Sequence, residues 1–155
     1  MGNDHRRLVY SEDRVRLLFG RMRDELAEMH ERIASEHLQR LDPAQTCHRV
    51  RAVIIRHLPD GEPRRPKIAA ILGMSERTLQ RRLAAEGISF QRLLDDTRRE
   101  LAQHYLSQRN LSLADTAYLL GFSDQSSFFR AARRWFGTSP RDYRIRLITD
   151  GSGGS

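Results

Sequence analysis

A chain of 155 residues has room for one ordinary domain or two very small ones, which excludes a large multi-domain enzyme. Apolar residues make up 39% and charged residues 30%, a water-compatible globular balance, and no apolar run nears the roughly 20 residues that a bilayer-spanning helix needs. The net charge is +7, and no apolar stretch follows the basic MGNDHRRLVY, which argues against a secretory signal, so a cytoplasmic protein with no membrane partner is expected.

The first apolar repeat places Val15, Phe19, Met22, Leu26, Met29 and Ile33 on one stripe, predicting one amphipathic helix or a helix pair within residues 12–41. Pro43 disfavours helix at Asp42 and ends it. The next helix is CHRVRAVIIRHL, with Val50, Val53, Ile54 and Leu58 on one face, stopped by the turn-rich connector PDGEPRRP. Its Cys47 is the single cysteine of the chain, which excludes an internal disulfide and a thiolate zinc cluster and suits a structural thiol. His30 and His37 stand two helical turns apart, about 10 Å, so no metal is expected there.

Two passages then share one plan. A short helix, Ile68 to Leu72, runs into Gly73, after which Ser75 caps a helix through about Ala85. Further on, Ser112 caps a short helix ending at Leu120, Gly121 turns the chain, and Ser123 or Asp124 starts another. Each passage reads short helix, Leu-Gly, an apolar residue, Ser, then a helix containing an arginine, which is the pattern of a helix-turn-helix unit. Between them Phe90, Leu93, Leu94, Thr97, Leu101 and Tyr105 predict one continuous helix of about five turns, roughly 27 Å long. That length brings the two units near the ~34 Å spacing of successive major grooves on one face of DNA. A last helix starts with Ser139 as cap and Pro140 as first residue and runs through RDYRIRL, leaving 148–155, with its GSGGS, as a flexible tail. No strand-like alternation appears, so the fold class is all-α: two helix-turn-helix subdomains of homeodomain-like kind joined by a long linker helix, preceded by one or two N-terminal amphipathic helices.

The charge follows this division. Residues 47–147 carry 19 Lys and Arg against 10 Asp and Glu, while residues 1–46 are near balance at 8 against 9. All but Lys67 of those 19 cations are arginines, suited to two-pronged contacts with phosphate and guanine.

The order Ala117, LLGFSDQSSFFR, Trp135-Phe136-Gly137, Thr138-Ser139-Pro140 and Tyr143-Arg144 resembles the signature of the AraC/XylS family of bacterial transcription regulators, and GMSERTLQRRLAAEGISFQRLLDDTRRELAQHYL resembles the first half of the same DNA-binding domain. The resemblance covers about residues 47–147 and implies subdomains 47–88 and 109–147 around a linker helix over 89–108. One departure is Ala132, where many members have Phe, so neighbours such as Trp135 are expected to fill the core. Residues 1–46 are too few for the family's effector or dimerisation domain and read as a truncated chain or, better, as the end of that domain.

A reading helix needs polar side chains outward near its start and apolar ones on the docking face. Leu79 and Leu83 suit docking in the first unit, leaving Arg77, Gln80 and Arg81 outward, positions that the resemblance makes base-reading. In the second, Phe128 and Ala132 face the core, and Gln125, Ser126, Ser127 and Arg130 are the matching contact positions. Phosphate binding is expected of Lys67, Ser75, Thr78, Arg82, Arg133, Arg134, Arg141 and Arg144. Glu76, in a first helical turn, suits the helix dipole better than cytosine. The aromatics Phe122, Phe128, Trp135, Phe136 and Tyr143 are assigned to the core rather than to base stacking.

The expected partner is double-stranded promoter DNA, with RNA polymerase as a candidate protein partner, no cofactor, no metal and no catalytic residue. The isolated chain is expected to be monomeric, with dimers in a longer form. Two alternatives stand beside this reading. An alkylation-repair protein would need zinc ligands beside its reactive cysteine, which Cys47 lacks; a helical interaction module would use residues 12–41 as a coiled-coil seam, but the repeat covers fewer than three heptads.

Overall fold

The computed structural model describes Arg32 and residues 45–153, so the helical extension expected over 12–41 lies outside the described residues. Among them, seven helices and no strand follow in order: α1 Thr46–His57, α2 Arg65–Ile71, α3 Glu76–Ala85, α4 Phe90–Leu106, α5 Leu113–Leu119, α6 Gln125–Phe136 and α7 Pro140–Gly153. A 3₁₀ turn, Leu58–Asp60, closes α1. Helices α1–α3 form one unit and α5–α7 the other, and α4 packs against α1 on one side and against α5 and α7 on the other.

The two turns are built from the same hydrogen bonds. In the first, Leu72 N–H donates to Ile68 O, Gly73 N–H to Ala70 O and Met74 N–H to Ala69 O; in the second, Leu120 N–H donates to Thr116 O, Gly121 N–H to Tyr118 O and Phe122 N–H to Ala117 O. Both glycines are left-handed, at φ 70° and 79°. A left-handed residue after the last helical turn returns two N–H groups to the helix's orphan carbonyls and sends the chain off at a steep angle. The following helix then starts on a side-chain cap: Ser75 Oγ accepts from Thr78 N–H at 3.1 Å, and Asp124 Oδ1 accepts from Ser127 N–H at 2.6 Å. Asp124, not Ser123, is therefore the second cap.

Two boundaries differ from the sequence expectation, and one cap comes from far along the chain. Helix α2 begins at Arg65, not Ile68, because Pro66 lies in the first turn, where its missing N–H costs nothing. Helix α1 has no side-chain cap of its own at Gln45; instead Glu86, at the end of α3, accepts from Thr46 N–H at 3.0 Å and Cys47 N–H at 2.9 Å. Helix α7 continues through Ile148, Thr149 and Asp150 to Gly153, where a tail was expected from 148, since nothing in RLITD breaks a helix already propagating.

The core is one cluster running through both units, from Val50, Ile54 and Leu58 through Leu79 and Leu83, along Leu93, Leu94, Leu101 and Tyr105, to Leu120, Phe128 and Ala132. Ala132 is fully buried, and Phe122 lies 5.7 Å from Phe128 and 6.1 Å from Trp135, so neighbouring rings close the space left by the smaller side chain. Phe136 stacks on Tyr143 at 3.9 Å, joining α6 to α7. Burial, then the nearby Glu86 carboxylate, push the Cys47 thiol up, keeping it protonated in keeping with a structural role.

A side chain added at Gly73 meets nothing within 4 Å, whereas a Cβ at Gly121 would lie 2.7 Å from Leu58 O and 3.1 Å from the Gly61 carbonyl. Gly73→Ala is expected to cost about 1 kcal/mol in left-handed strain alone, and Gly121→Ala about 3 kcal/mol because backbone must also move. Urea unfolding of the two variants checks the difference, which equal losses would contradict.

Partial burial opposes the Glu86 charge, yet the N–H groups of Cys47 and Thr46 overcome it and hold the carboxyl below its ordinary value of 4.5. A depressed folded pKa gives stability that is complete above that ordinary value and is lost as pH falls through the folded one. Glu86→Ala should therefore cost about 1 kcal/mol at neutral pH, the worth of a cap, and the gap to the unaltered protein should shrink as the pH falls from neutral to below the ordinary value of 4.5. Denaturant titrations across that range test it; a gap independent of pH would contradict the charged cap.

Candidate nucleic-acid interface

Helix α3 docks through Leu79 and Leu83, both almost fully enclosed. At 100° per residue this turns Arg77, Gln80, Arg81 and Arg82 outward, and all four are exposed. None of their side chains has a hydrogen-bond or ion-pair partner among the described residues. Ser75 and Thr78 are occupied with each other at the helix start, the Ser75 hydroxyl donating to Thr78 Oγ1 at 2.9 Å, so their hydroxyls serve first as the cap. Glu76 pairs with Arg65 at 3.2 Å across the turn, in the dipole-facing first turn where its charge was expected to sit.

Helix α6 docks through Phe128, Ala131 and Ala132. Gln125 and Ser126 are exposed and unpartnered among the described residues. Ser127 is half-buried and accepts from Arg130 Nη2 at 3.2 Å, so these two form a linked pair rather than independent arms. The Ser127 N–H is the first cause holding the Asp124 carboxyl below its usual range, which keeps the cap charged.

The cations expected at phosphates divide into two groups. Lys67, Arg82, Arg133 and Arg141 are exposed without a side-chain partner among the described residues. Arg134 instead pairs with Asp95 of α4 at 2.6 Å, an oxygen that also accepts from Trp135 Nε1 at 3.0 Å. Arg144 departs furthest from its expected role: its Nε donates to Leu106 O at 2.9 Å and Nη2 to Tyr105 O at 3.4 Å. Half-buried, it satisfies the last carbonyls of α4, a helix C-terminus that favours a cation.

Two residues escaped the sequence reading. Phe129 keeps 36% exposure on the outward face of α6, three residues after Ser126 and four before Arg133. In sequence it has no assigned role, because the neighbouring Phe128 takes the docking position. Arg98 is buried in the apolar stripe of α4, with Nε on Leu120 O at 2.8 Å, Nη2 on Gly121 O at 3.1 Å, Nη1 on Glu62 at 3.2 Å, and its guanidinium 4.3 Å above Phe122. Its position, four after Leu94 and three before Leu101, was the available signal. Among the described residues no group of three or more His, Cys, Asp or Glu is placed to hold a metal, and no helix is long and apolar enough to cross a membrane.

Two glycine-turned helix pairs on one rod, each offering an arginine-bearing polar face from its second helix, define a double helix-turn-helix domain. A family model described as a helix-turn-helix domain matches residues 68–146, and the chain belongs to the AraC-type helix-turn-helix family. It is 43% identical over 130 residues to the HTH-type transcriptional regulator VirS of Mycobacterium tuberculosis, covering 82% of this chain and 38% of VirS. Against the ornithine utilization regulator of Pseudomonas aeruginosa identity is 43% over 96 residues, covering 62% of this chain and 28% of that protein. The chain thus spans less than two fifths of the length of either relative. Among solved structures, a DNA-binding transcriptional dual regulator from Escherichia coli K-12 superposes with a TM-score of 0.65 at 28% identity, covering 70% of this chain and 96% of that one. The DNA-binding domain of AdpA, a global transcriptional factor solved in complex with a target DNA, gives 0.59 at 27% identity, covering 69% and 96%.

Proposed function

We propose that this chain is the DNA-reading part of a transcription regulator, binding double-stranded promoter DNA in the cytoplasm through α3 and α6 in two adjacent major-groove segments. The observation that carries it is the outward face of α3, where Arg77, Gln80 and Arg81 are exposed and unpartnered opposite a buried leucine pair. Unpaired long polar side chains on a docked helix suit base edges: arginine donates twice to guanine O6 and N7, and glutamine pairs with adenine N6 and N7. Lys67, Arg82, Arg133 and Arg141 supply backbone contacts that fix register without reading sequence. Arg134 and Arg144 are left to internal structure, and Ser127 with Arg130 acts as a joined reader. Similarity to regulators by name, and to a domain solved on its target DNA, supports the reading.

A selection on randomised duplexes should return a specific site. On it, Arg81→Ala or Gln80→Ala is expected to cost about 1–3 kcal/mol and relax preference at one position, while Arg133→Ala weakens all sequences alike and lowers the salt slope by about one. Unchanged affinities for specific and random duplexes in the α3 variants would refute the assignment.

Phe129 adds an apolar reader to the second helix. A phenylalanine ring on a groove-facing surface matches the C5-methyl of thymine, the one apolar group a base presents there. Replacing the contacted thymine by deoxyuridine, which removes only that methyl, should cost about 0.8 kcal/mol with the unaltered protein and nothing with Phe129→Ala. A deoxyuridine penalty undiminished in Phe129→Ala would exclude the contact.

A further inference from the structure

A rod fixes the distance between two units, while their rotation about its axis is held by apolar packing and by bonds reaching across. Arg98 makes such bonds to both units at once. Towards the first, its Nη1 meets Glu62 at 3.2 Å, on the connector between α1 and α2. Towards the second, it holds Leu120 O and Gly121 O, the two carbonyls at the turn from which α6 departs, while its plane covers Phe122 in the same turn. The surfaces it joins are already in close register, since Gly121 sits so near Leu58 and Gly61 that no side chain fits between. Helix α6 is tied to the rod again one turn earlier, where Arg134 and Trp135 share Asp95. On the first unit's side, Arg51 of α1 reaches Glu100 at 3.4 Å.

We infer that the Glu62–Arg98–Gly121 junction sets the twist between α3 and α6, and so determines which separation between two DNA boxes the protein accepts. This rests on the DNA-reading proposal above. Arg98 is a positioning residue, buried away from any ligand, and its effect is on the pairing of the two contacts rather than on either one. Two linked readers gain from each other only when the geometry lets both engage together. Adding one base pair between the boxes rotates the second by about 34° and moves it about 3.4 Å, which a locked junction does not follow and a loosened one does.

The test uses the full chain and the duplex returned by selection, in versions with one base pair inserted or deleted between the boxes and a version keeping only the α3 box. For the unaltered protein a one-base-pair change should weaken binding about tenfold or more. In Arg98→Met that penalty should fall to about threefold or less, with affinity for the single-box duplex within about twofold of the unaltered protein. Glu62→Ala covers the case in which Arg98→Met does not fold: Glu62 is largely exposed and Arg98 keeps its two carbonyls, so the fold persists while the link to the first unit is cut. A smaller but clear relaxation is expected for it. A folded Arg98→Met, or failing that Glu62→Ala, with the full spacing penalty of the unaltered protein would overturn the inference even if its melting temperature fell. Failure to recover any specific duplex would instead overturn the DNA-reading proposal, and this inference with it.

Discussion

A residue that tolerates positive φ lets a chain leave a helix at a steep angle, and this fold uses that exit at Gly73 and Gly121 to aim its second helices. At Gly73 and Gly121 the left-handed residue lets its own N–H and that of the next residue turn back onto helix carbonyls, so the bend leaves neither donor unpaired. Each exit is followed within three residues by a cap, Ser75 or Asp124, that fixes where the next helix starts. The exit direction of α3 and α6 is therefore set at the turn, by backbone hydrogen bonds and a side-chain cap. Leu79 with Leu83, and Phe128 with Ala132, then fix which face of each helix remains outside.

The arginines show how one residue type serves opposite ends. On the free faces of α3 and α6 they are solvated charges with unspent donors. Arg98 and Arg144 instead donate to carbonyl oxygens at the ends of other helices, where the negative end of the backbone dipole receives a cation. Burial draws both of their pKa values down, opposed at Arg98 by Glu62 and Asp95, yet arginine is basic enough to remain charged. A lysine could not copy Arg98, because a single ammonium lacks the planar spread that reaches Leu120, Gly121 and Glu62 together. The surplus of positive charge in the sequence is thus partly structural and overstates what is available to a polyanion.

What was legible in the sequence was local. Serine caps, Leu-Gly turns and the apolar spacing of α4 act within a few residues, so the helix order, the paired turns and the docking leucines could be read directly. Contacts distant in sequence could not. Glu86 capping α1 spans about 40 residues, and Arg98 reaches 36 back to Glu62 and 22 on to Leu120. Nothing in their neighbourhoods marks them, except that a charge at position 98 interrupts an apolar stripe. At the edges, local rules were read too broadly. Pro66, in the turn-rich connector PDGEPRRP, sits in a first helical turn that accepts it, and the tail expected from 148 includes Ile148, Thr149 and Asp150, which contain no breaker. At the interface, exposure separated residues that composition could not: Phe129 stands outward beside a buried Phe128, and Arg144 turns inward beside an exposed Arg141.

The two units differ in a way that follows from side-chain length. Helix α3 carries Arg77, Gln80 and Arg81, long arms that can search several ångströms for a partner, and its turn at Gly73 opens onto free space. Helix α6 has Ser126 and Ser127 beside the longer Gln125 and Arg130, and a serine hydroxyl reaches little beyond its own Cβ, so in the proposed role a small displacement of the helix would remove it from a base edge. Short readers therefore demand a closely held helix. That is what surrounds α6: Arg98 on the turn before it, Asp95 on Arg134 and Trp135 along it, and Tyr143 stacked on Phe136 behind it. If the two helices read bases as proposed, the long side chains of α3 can adjust to a partner, whereas the two serines of α6 depend on the contacts that hold that helix in place.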